Sequence, residues 1–297
     1  MSRLAIRTST AATSLLILVT FIWGFTFVVN QYVLGSMSVA DLMSWRFLIA
    51  ALVMLVARPK AILQLNRSQV KHGVALGLFL SLGYLAQMVG LKGTTATASG
   101  FITGMFVVLT PLISGVFLRQ KISNIAWLAV GLATVGLGLI ALTGTSVRVG
   151  DAVTFLCAIA FACHIVGLSH WSQPHIVYGL TTLQLSVVAI FSLTLSLAQG
   201  GPALPPNKNV WICILLLAIF ASSLGFFAQT WVQSHVSSTR AAIILTMEPV
   251  FAGIAGVTIG TDELTTRLIA GALCILAAMY LVELSPREPD GVLHLEI

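Results

Sequence analysis

Charge is scarce in this chain. Only 8% of its 297 residues are Asp, Glu, Lys or Arg, while 58% are apolar and mean hydropathy is +1.01. A soluble globular domain carries about 25% charged residues, so the composition excludes that class and implies a polytopic helical membrane protein. A membrane β-barrel is excluded by pattern, since segments of about 10 residues alternating apolar with polar are missing. Cysteine is equally sparse. Cys157, Cys163, Cys213 and Cys274 all fall inside apolar runs, at spacings that fit no zinc, haem or redox motif, and packing is their expected role. There is no H-E-x-x-H, no G-x-S-x-G, no Walker motif and no acidic metal cluster. Nothing supports an enzyme, a cofactor, a bound metal or an intrinsic ATP-driven pump. The net charge of +6 and pI near 9.5 could point to nucleic acid, but the basic residues sit in short loops, where they set membrane topology.

What the sequence does hold is apolar length. Ten segments can be drawn, at 12–33, 41–57, 72–91, 96–118, 124–142, 152–171, 179–198, 210–233, 238–260 and 267–284, each near the roughly 20 residues that cross a bilayer. Arg3 and Arg7 before the first run resemble a signal peptide, but the run continues to Val29 without a cleavage site and reads as an uncleaved first helix. Connections are short. The longest are 58–71 and 199–209, the latter extended by Pro202, Pro205 and Pro206. A single transporter-like domain over 1–297 is expected.

Orientation follows the basic residues. With the N-terminus in the cytoplasm, Arg3, Arg7, Arg58, Lys60, Arg67, Lys71, Arg119, Lys121, Arg240 and Arg287 lie inside, and Lys92, Arg148, Lys208 and Arg267 outside. Both termini are thus expected in the cytoplasm, with the bias carried almost wholly by the first half.

The two halves repeat weakly. Pro111 and Pro249 lie 138 residues apart, and Gly131 and Gly271 lie 140 apart. Ala96, Gly100 and Gly104 make a four-spaced small stripe whose counterpart is Ala252, Gly256 and Gly260. Five spans per half is an odd number, so the second copy must lie inverted in the membrane, with repeat one over about 12–145 and repeat two over about 150–285. Carriers built from inverted repeats place the solute site near the midplane, between the copies.

Within that frame Glu248 stands out as the carboxylate deepest inside a span, next to Pro249. An acid at that depth costs at least about 2.5 kcal/mol. It either serves a solute or a proton, or pairs locally with a hydroxyl or backbone amide at the proline, or is kept protonated. Pro111 and Pro249 each remove a ladder hydrogen bond and are read as hinges or fixed bends. His164 and His170 fall in the sixth span, where an imidazole can bond a solute, relay a proton or make an interhelical hydrogen bond. Trp23, Phe27 and Asn30 share a face, as do Tyr84 and Gln87, and as do Phe227 and Trp231 with Gln229 and Gln233 nearby; Phe101 opens the fourth span. Aromatic rings with a few amides suit an aromatic or amphiphilic solute, and equally suit packing between helices. Trp45, Trp171 and Trp211 read as interface anchors. Arg46 either attracts a carboxylate, snorkels to the surface or holds a fixed salt bridge.

The pattern resembles the drug/metabolite transporter superfamily, in its EamA-type branch. The likeness rests on Trp23-Gly24, on Trp45-Arg46-Phe47, and on the run from Ser99 through Gly100, Phe101, Ile102, Thr103 and Gly104 to Leu109-Thr110-Pro111. Ser238-Thr239-Arg240-Ala241 and Glu248-Pro249-Val250-Phe251 look like the second copy's counterpart, and Asp262-Glu263 fits the acidic position after it. The corresponding site in the first copy, Arg119-Gln120-Lys121, is not acidic and departs from strict symmetry. The resemblance spans about 12–284. It implies an all-α carrier of ten transmembrane helices with a central cavity lined by spans one, three, four, six, eight and nine. It also implies a plasma-membrane (inner-membrane) location and export of amino acids, aromatic ones among them, or similar metabolites by alternating access. A multidrug or organic-cation exporter is the alternative, and proton coupling stays open. The spans hold few basic groups, which argues against strongly anionic substrates and for a neutral or zwitterionic, partly apolar one. The expected binding residues are Trp23, Asn30, Tyr84, Gln87, Phe101, His164, Phe227, Trp231 and Glu248.

Overall fold

The computed structural model describes residues 3–117, 124–143, 146–234 and 244–284. The chain enters as α1 (Arg3–Leu34), α2 (Val39–Ala57) and α3 (Arg67–Leu91), with a 3-10 turn at Ile62–Gln64. Then come α4 (Ala96–Gly104), α5 (Phe106–Phe117), α6 (Asn124–Ala141), α7 (Val149–Trp171) and α8 (Val177–Leu197). The remainder is α9 (Lys208–Leu216), a π-helical stretch at Leu217–Leu224, α10 (Gly225–Gln233), α11 (Met247–Thr258) and α12 (Thr266–Leu284). The one departure from an all-helical chain among the described residues is a two-residue ladder, β1 (Leu142–Thr143) with β2 (Ser146–Val147), antiparallel.

Among the described residues, seven helical stretches are long and apolar enough to cross a membrane, from Ser14–Leu34 to Lys208–Gln233. Three shorter apolar helices, Trp127–Ile140, Met247–Thr258 and Thr266–Leu281, lie where the fifth, ninth and tenth spans are expected. The ninth is described only from Ile244, so Ser238-Thr239-Arg240-Ala241 lies outside the described residues, as do Arg119-Gln120-Lys121 and the tail from Ser285.

Helix starts follow local chemistry. Asn66 and Gln69 close a reciprocal capping box on α3, at 2.9 Å in each direction. Ser38, Thr95 and Asn207 each accept a backbone N–H at the first turn of α2, α4 and α9. The outward faces are apolar: Leu48, Leu52 and Val56 follow one another at four-residue steps along the exposed side of α2, as a lipid-facing helix requires.

Packing is mostly between the first and second halves of the chain. α1 and α4 both lie on α11, α3 lies on α7 and α8, α2 on α8 and the π segment, and α6 on α12. Small residues allow the closest crossings. A Cβ on Gly24 would stand 2.5 Å from Phe251 Cβ and 2.8 Å from the Ala252 nitrogen, so α1 and α11 meet backbone to backbone. A Cβ on Gly100 of α4 would strike the Ala252 side chain of the same helix.

The prolines do not mark the breaks directly. The fourth span is interrupted by a turn at Met105, six residues before Pro111, and Pro111 itself lies inside α5. The ninth is interrupted by a turn at Thr246, which leaves Pro249 in the first turn of α11, where a missing N–H costs nothing.

Candidate functional site

Between the two halves lies a small cavity of about 40 Å³. Its walls are Trp23 and Thr26 of α1, Leu80, Tyr84 and Gln87 of α3, Phe106 of α5, Phe161, His164 and Ile165 of α7, Phe226 and Gln229 of α10, and Glu248 of α11. These helices correspond to the first, third, fourth, sixth, eighth and ninth expected spans.

Glu248 supplies the carboxyl group of this cavity. It sits in the first turn of α11, just after the Thr246 turn, and is 7% exposed. Among the described residues its carboxylate has no hydrogen bond and no ion pair. The helix N-terminus beneath it favours negative charge at this place. Gln229 adds a second acceptor, because its buried Oε1 has no partner among the described residues. His164 is held differently: its Nε2–H donates to Gln184 Oε1 at 2.7 Å, and Gln184 in turn donates to the Leu180 carbonyl at 3.2 Å. This imidazole lines the cavity while fixed in an interhelical bond. Gln87 donates weakly to Thr103 Oγ1 at 3.4 Å.

The aromatic wall is anchored by an irregular helix. In the π-helical stretch Leu217–Leu224 the ladder slips by one residue, and Ser223 Oγ donates to the Ala218 carbonyl five residues earlier, at 2.9 Å. The carbonyl of Ala221 accepts Trp23 Nε1–H at 2.8 Å. Trp23 then meets Phe226 at 5.3 Å between ring centroids, and Phe226 meets Tyr84 edge-on at 6.0 Å. Tyr84 also contacts Phe47 at 4.8 Å and Phe161 at 5.4 Å in edge geometry.

Of the expected binding residues, Trp23, Tyr84, Gln87, His164 and Glu248 line the cavity and four do not. Asn30 is buried one layer away and accepts from Arg46. Phe101 packs against Gly253. Phe227 faces Tyr178 at 5.6 Å, and its neighbour Phe226 is the one in the wall, a register error of one residue. Trp231 packs at the edge of the core. The wall residues that carry no polar signal, Leu80, Phe106, Phe161 and Ile165, were not singled out in the sequence.

Arg46 neither snorkels nor forms a salt bridge. It is 1% exposed, and the ion pair found among the described residues, Arg148–Asp151, lies elsewhere. Its Nε donates to Ser222 Oγ at 2.8 Å, Nη2 to the Tyr84 hydroxyl at 3.3 Å and Nη1 to Asn30 Oδ1 at 3.5 Å. The guanidinium carbon lies 4.7 Å from the Tyr84 ring centre and 5.1 Å from that of Phe47. Asp41, five residues earlier, is engaged instead by Ser38, Ser196 and the Ala203 amide.

A bundle of long apolar helices around a shared aromatic and polar cavity defines a multi-spanning membrane protein. The EamA-like transporter family matches this sequence twice, over residues 10–142 and 148–284, and the chain belongs to that family: it is a membrane transporter of the EamA type. A protein of Archaeoglobus fulgidus described as an uncharacterized transporter is 35% identical over 270 residues, covering 91% of this chain and 84% of its own. A protein of Salmonella typhimurium described as a probable amino-acid metabolite efflux pump is 25% identical over 291 residues, covering 90% and 93%. A solved structure titled only as a crystal structure of a protein superposes with a TM-score of 0.64 at 17% identity, over 92% of this chain and 96% of that one, a likeness of fold.

Proposed function

We propose that this transporter is a secondary carrier that exports amino acids, aromatic ones among them, or similar zwitterionic metabolites from the cell by alternating access. The observation that carries the reading is the cavity itself. Two acceptors without partners among the described residues, Glu248 and Gln229 Oε1, belong to a cavity walled by Trp23, Tyr84, Phe106, Phe161 and Phe226. An ammonium group satisfies the acceptors, and an apolar or aromatic side chain lies against the rings. The printed description of the Salmonella relative points the same way.

Two inverted five-helix halves, both termini cytoplasmic, supply the rocking bodies in this reading. Two features support it. The family pattern occurs once in each half. The packing is also preserved when each span is exchanged for the span five places on: α1 on α11 becomes α7 on α4 and α5, and α2 on the π segment becomes α8 on α3. Glu248 is then the candidate to carry a coupling proton.

The test is counterflow of labelled phenylalanine, tyrosine and tryptophan in proteoliposomes of the purified chain. Saturable counterflow supports the reading. Failure of every amino acid to exchange, in protein that unfolds cooperatively, overturns it. A second reading, an organic-cation exporter, is favoured by the unpaired Glu248 alone. Under it, Glu248→Gln abolishes transport of permanently charged cations and amino acids never compete.

A further inference from the structure

The cavity supplies acceptors, yet a zwitterion also needs a place for its carboxylate. That place lies one layer behind Tyr84. A guanidinium has five N–H groups and keeps its charge at physiological pH. Arg46 spends three on Ser222, Asn30 and Tyr84, all of them neutral. Two remain without an acceptor among the described residues. Beside them, Asn30 is 1% exposed, and its Nδ2 amide, with two more N–H groups, has no partner among the described residues. Three side chains, from α1, α3 and the π segment, therefore converge on a fully buried cation of α2 that no carboxylate of the described residues neutralises. Such a charge is tolerated inside a membrane protein when an anion comes to it. Tyr84 connects the two places: its side chain is part of the cavity wall, and its hydroxyl accepts from Arg46.

We propose that Arg46 and Asn30 form a carboxylate subsite adjoining the cavity at the Tyr84 hydroxyl, so that a solute whose ammonium lies at Glu248 and Gln229 presents its carboxylate to Arg46. The proposal rests on the carrier reading above and names the substrate class, a free amino acid with both charged ends intact. It accounts for an arginine that makes no ion pair and an amide left unsatisfied in the same pocket. The two donors of Arg46 and the Asn30 amide match the lone pairs of a planar carboxylate. The same donors could hold an inorganic anion, and the test separates the two sources.

The full chain in detergent is unfolded thermally in isethionate buffer, with additions of acetate, hydrocinnamate, phenethylamine, phenylalanine or chloride. Hydrocinnamate and phenylalanine are expected to raise the unfolding temperature in a saturable way, acetate less. Arg46→Met is expected to lose the gain from both carboxylates and keep the response to phenethylamine. Asn30→Ala is expected to weaken hydrocinnamate binding about tenfold, the loss of one hydrogen bond to a charged group. A hydrocinnamate response that is absent in the unsubstituted protein, or unchanged in Arg46→Met, overturns the subsite. If Arg46→Met does not fold, an undiminished affinity in Asn30→Ala overturns it. A chloride response equal to that of hydrocinnamate overturns the carboxylate assignment in favour of an inorganic ion. Counterflow failing for every amino acid, with the Arg46-dependent hydrocinnamate response intact, removes the carrier reading and leaves the subsite. Amino-acid counterflow with the same KM in both variants does the reverse.

Discussion

The indole Nε1–H of Trp23 donates to the carbonyl of Ala221 at 2.8 Å, joining residues 198 apart in sequence across the wall of the cavity. The acceptor is available because the helix around it has π geometry. Trp23→Phe keeps a ring against Phe226 and deletes the donor. A buried carbonyl then goes unsatisfied, at a cost of about 1–3 kcal/mol. Thermal unfolding in detergent reads this directly. No loss of stability would mean that the Ala221 carbonyl is satisfied within its own helix.

Glu248 gives a prediction with the opposite sign. Its carboxyl group is buried with no partner among the described residues, so Glu248→Gln removes a desolvated acid and keeps the volume. Stability is expected to stay level or rise, since an uncompensated buried charge is unfavourable. Transport of amine-bearing solutes is expected to fall at least about tenfold, the value of one charge-assisted hydrogen bond. Where flux in the unsubstituted protein tracks pH, it becomes pH-independent. Loss of stability together with unchanged flux would make this acid a structural group.

Two glycines separate close packing from mere helix content. Gly24→Ala forces a methyl against Phe251 and the backbone of Ala252, neither of which is the free end of a flexible chain. Overpacking of this kind costs about 1–3 kcal/mol. At Gly131 nothing lies within 4 Å of the added carbon, and Gly131→Ala is expected to stabilise α6 by about 0.5–1 kcal/mol. Comparing the two unfolding temperatures tests whether α1 and α11 truly touch; equal effects would contradict the geometry.

The helices were legible because apolar length is a local property, and so were the polar cavity residues, since Glu248, His164 and Gln87 have few reasons to sit inside a span. Phe227 for Phe226 shows where that reasoning stops: adjacent residues lie about 100° apart on a helix, and the π-helical slip upstream turns the face without any mark in composition. Phe106, Phe161 and Ile165 line the site yet look like any core residue. Arg46 was visible, but its neutral partners come from three other segments, Asn30, Tyr84 and Ser222, and no pairing of that kind can be read along one chain. The Gly131–Gly271 spacing also misled in part. Gly271 packs on α6 at Gly136, with a would-be Cβ 2.9 Å from the Gly136 carbonyl, while Gly131 faces open space. Arg148 and Arg267, assigned to topology by their charge, both donate to carbonyls at the end of α6, those of Ile140 and Leu139, as basic groups at helix C-termini do.

Asp262 ties the two halves together at one end. Its Oδ2 accepts the Thr97 N–H at 2.6 Å, so the carboxylate that follows α11 caps the start of α4. If the halves rock, this bond must break in one conformation and hold in the other, and its energy then sets part of the balance between them. Asp262→Asn replaces a charge-assisted bond by a neutral one and is expected to weaken the closed arrangement by about 1 kcal/mol, a shift in population of roughly fivefold. Ser99 lies two residues further into α4 and is fully buried. In a background freed of the four native cysteines, Ser99→Cys is therefore expected to react slowly with a membrane-impermeant thiol reagent, and severalfold faster once Asp262→Asn is added. The unfolding temperature should fall only slightly. Equal labelling rates with and without Asp262→Asn would mean that the contact is a helix cap alone and does not hold that end shut.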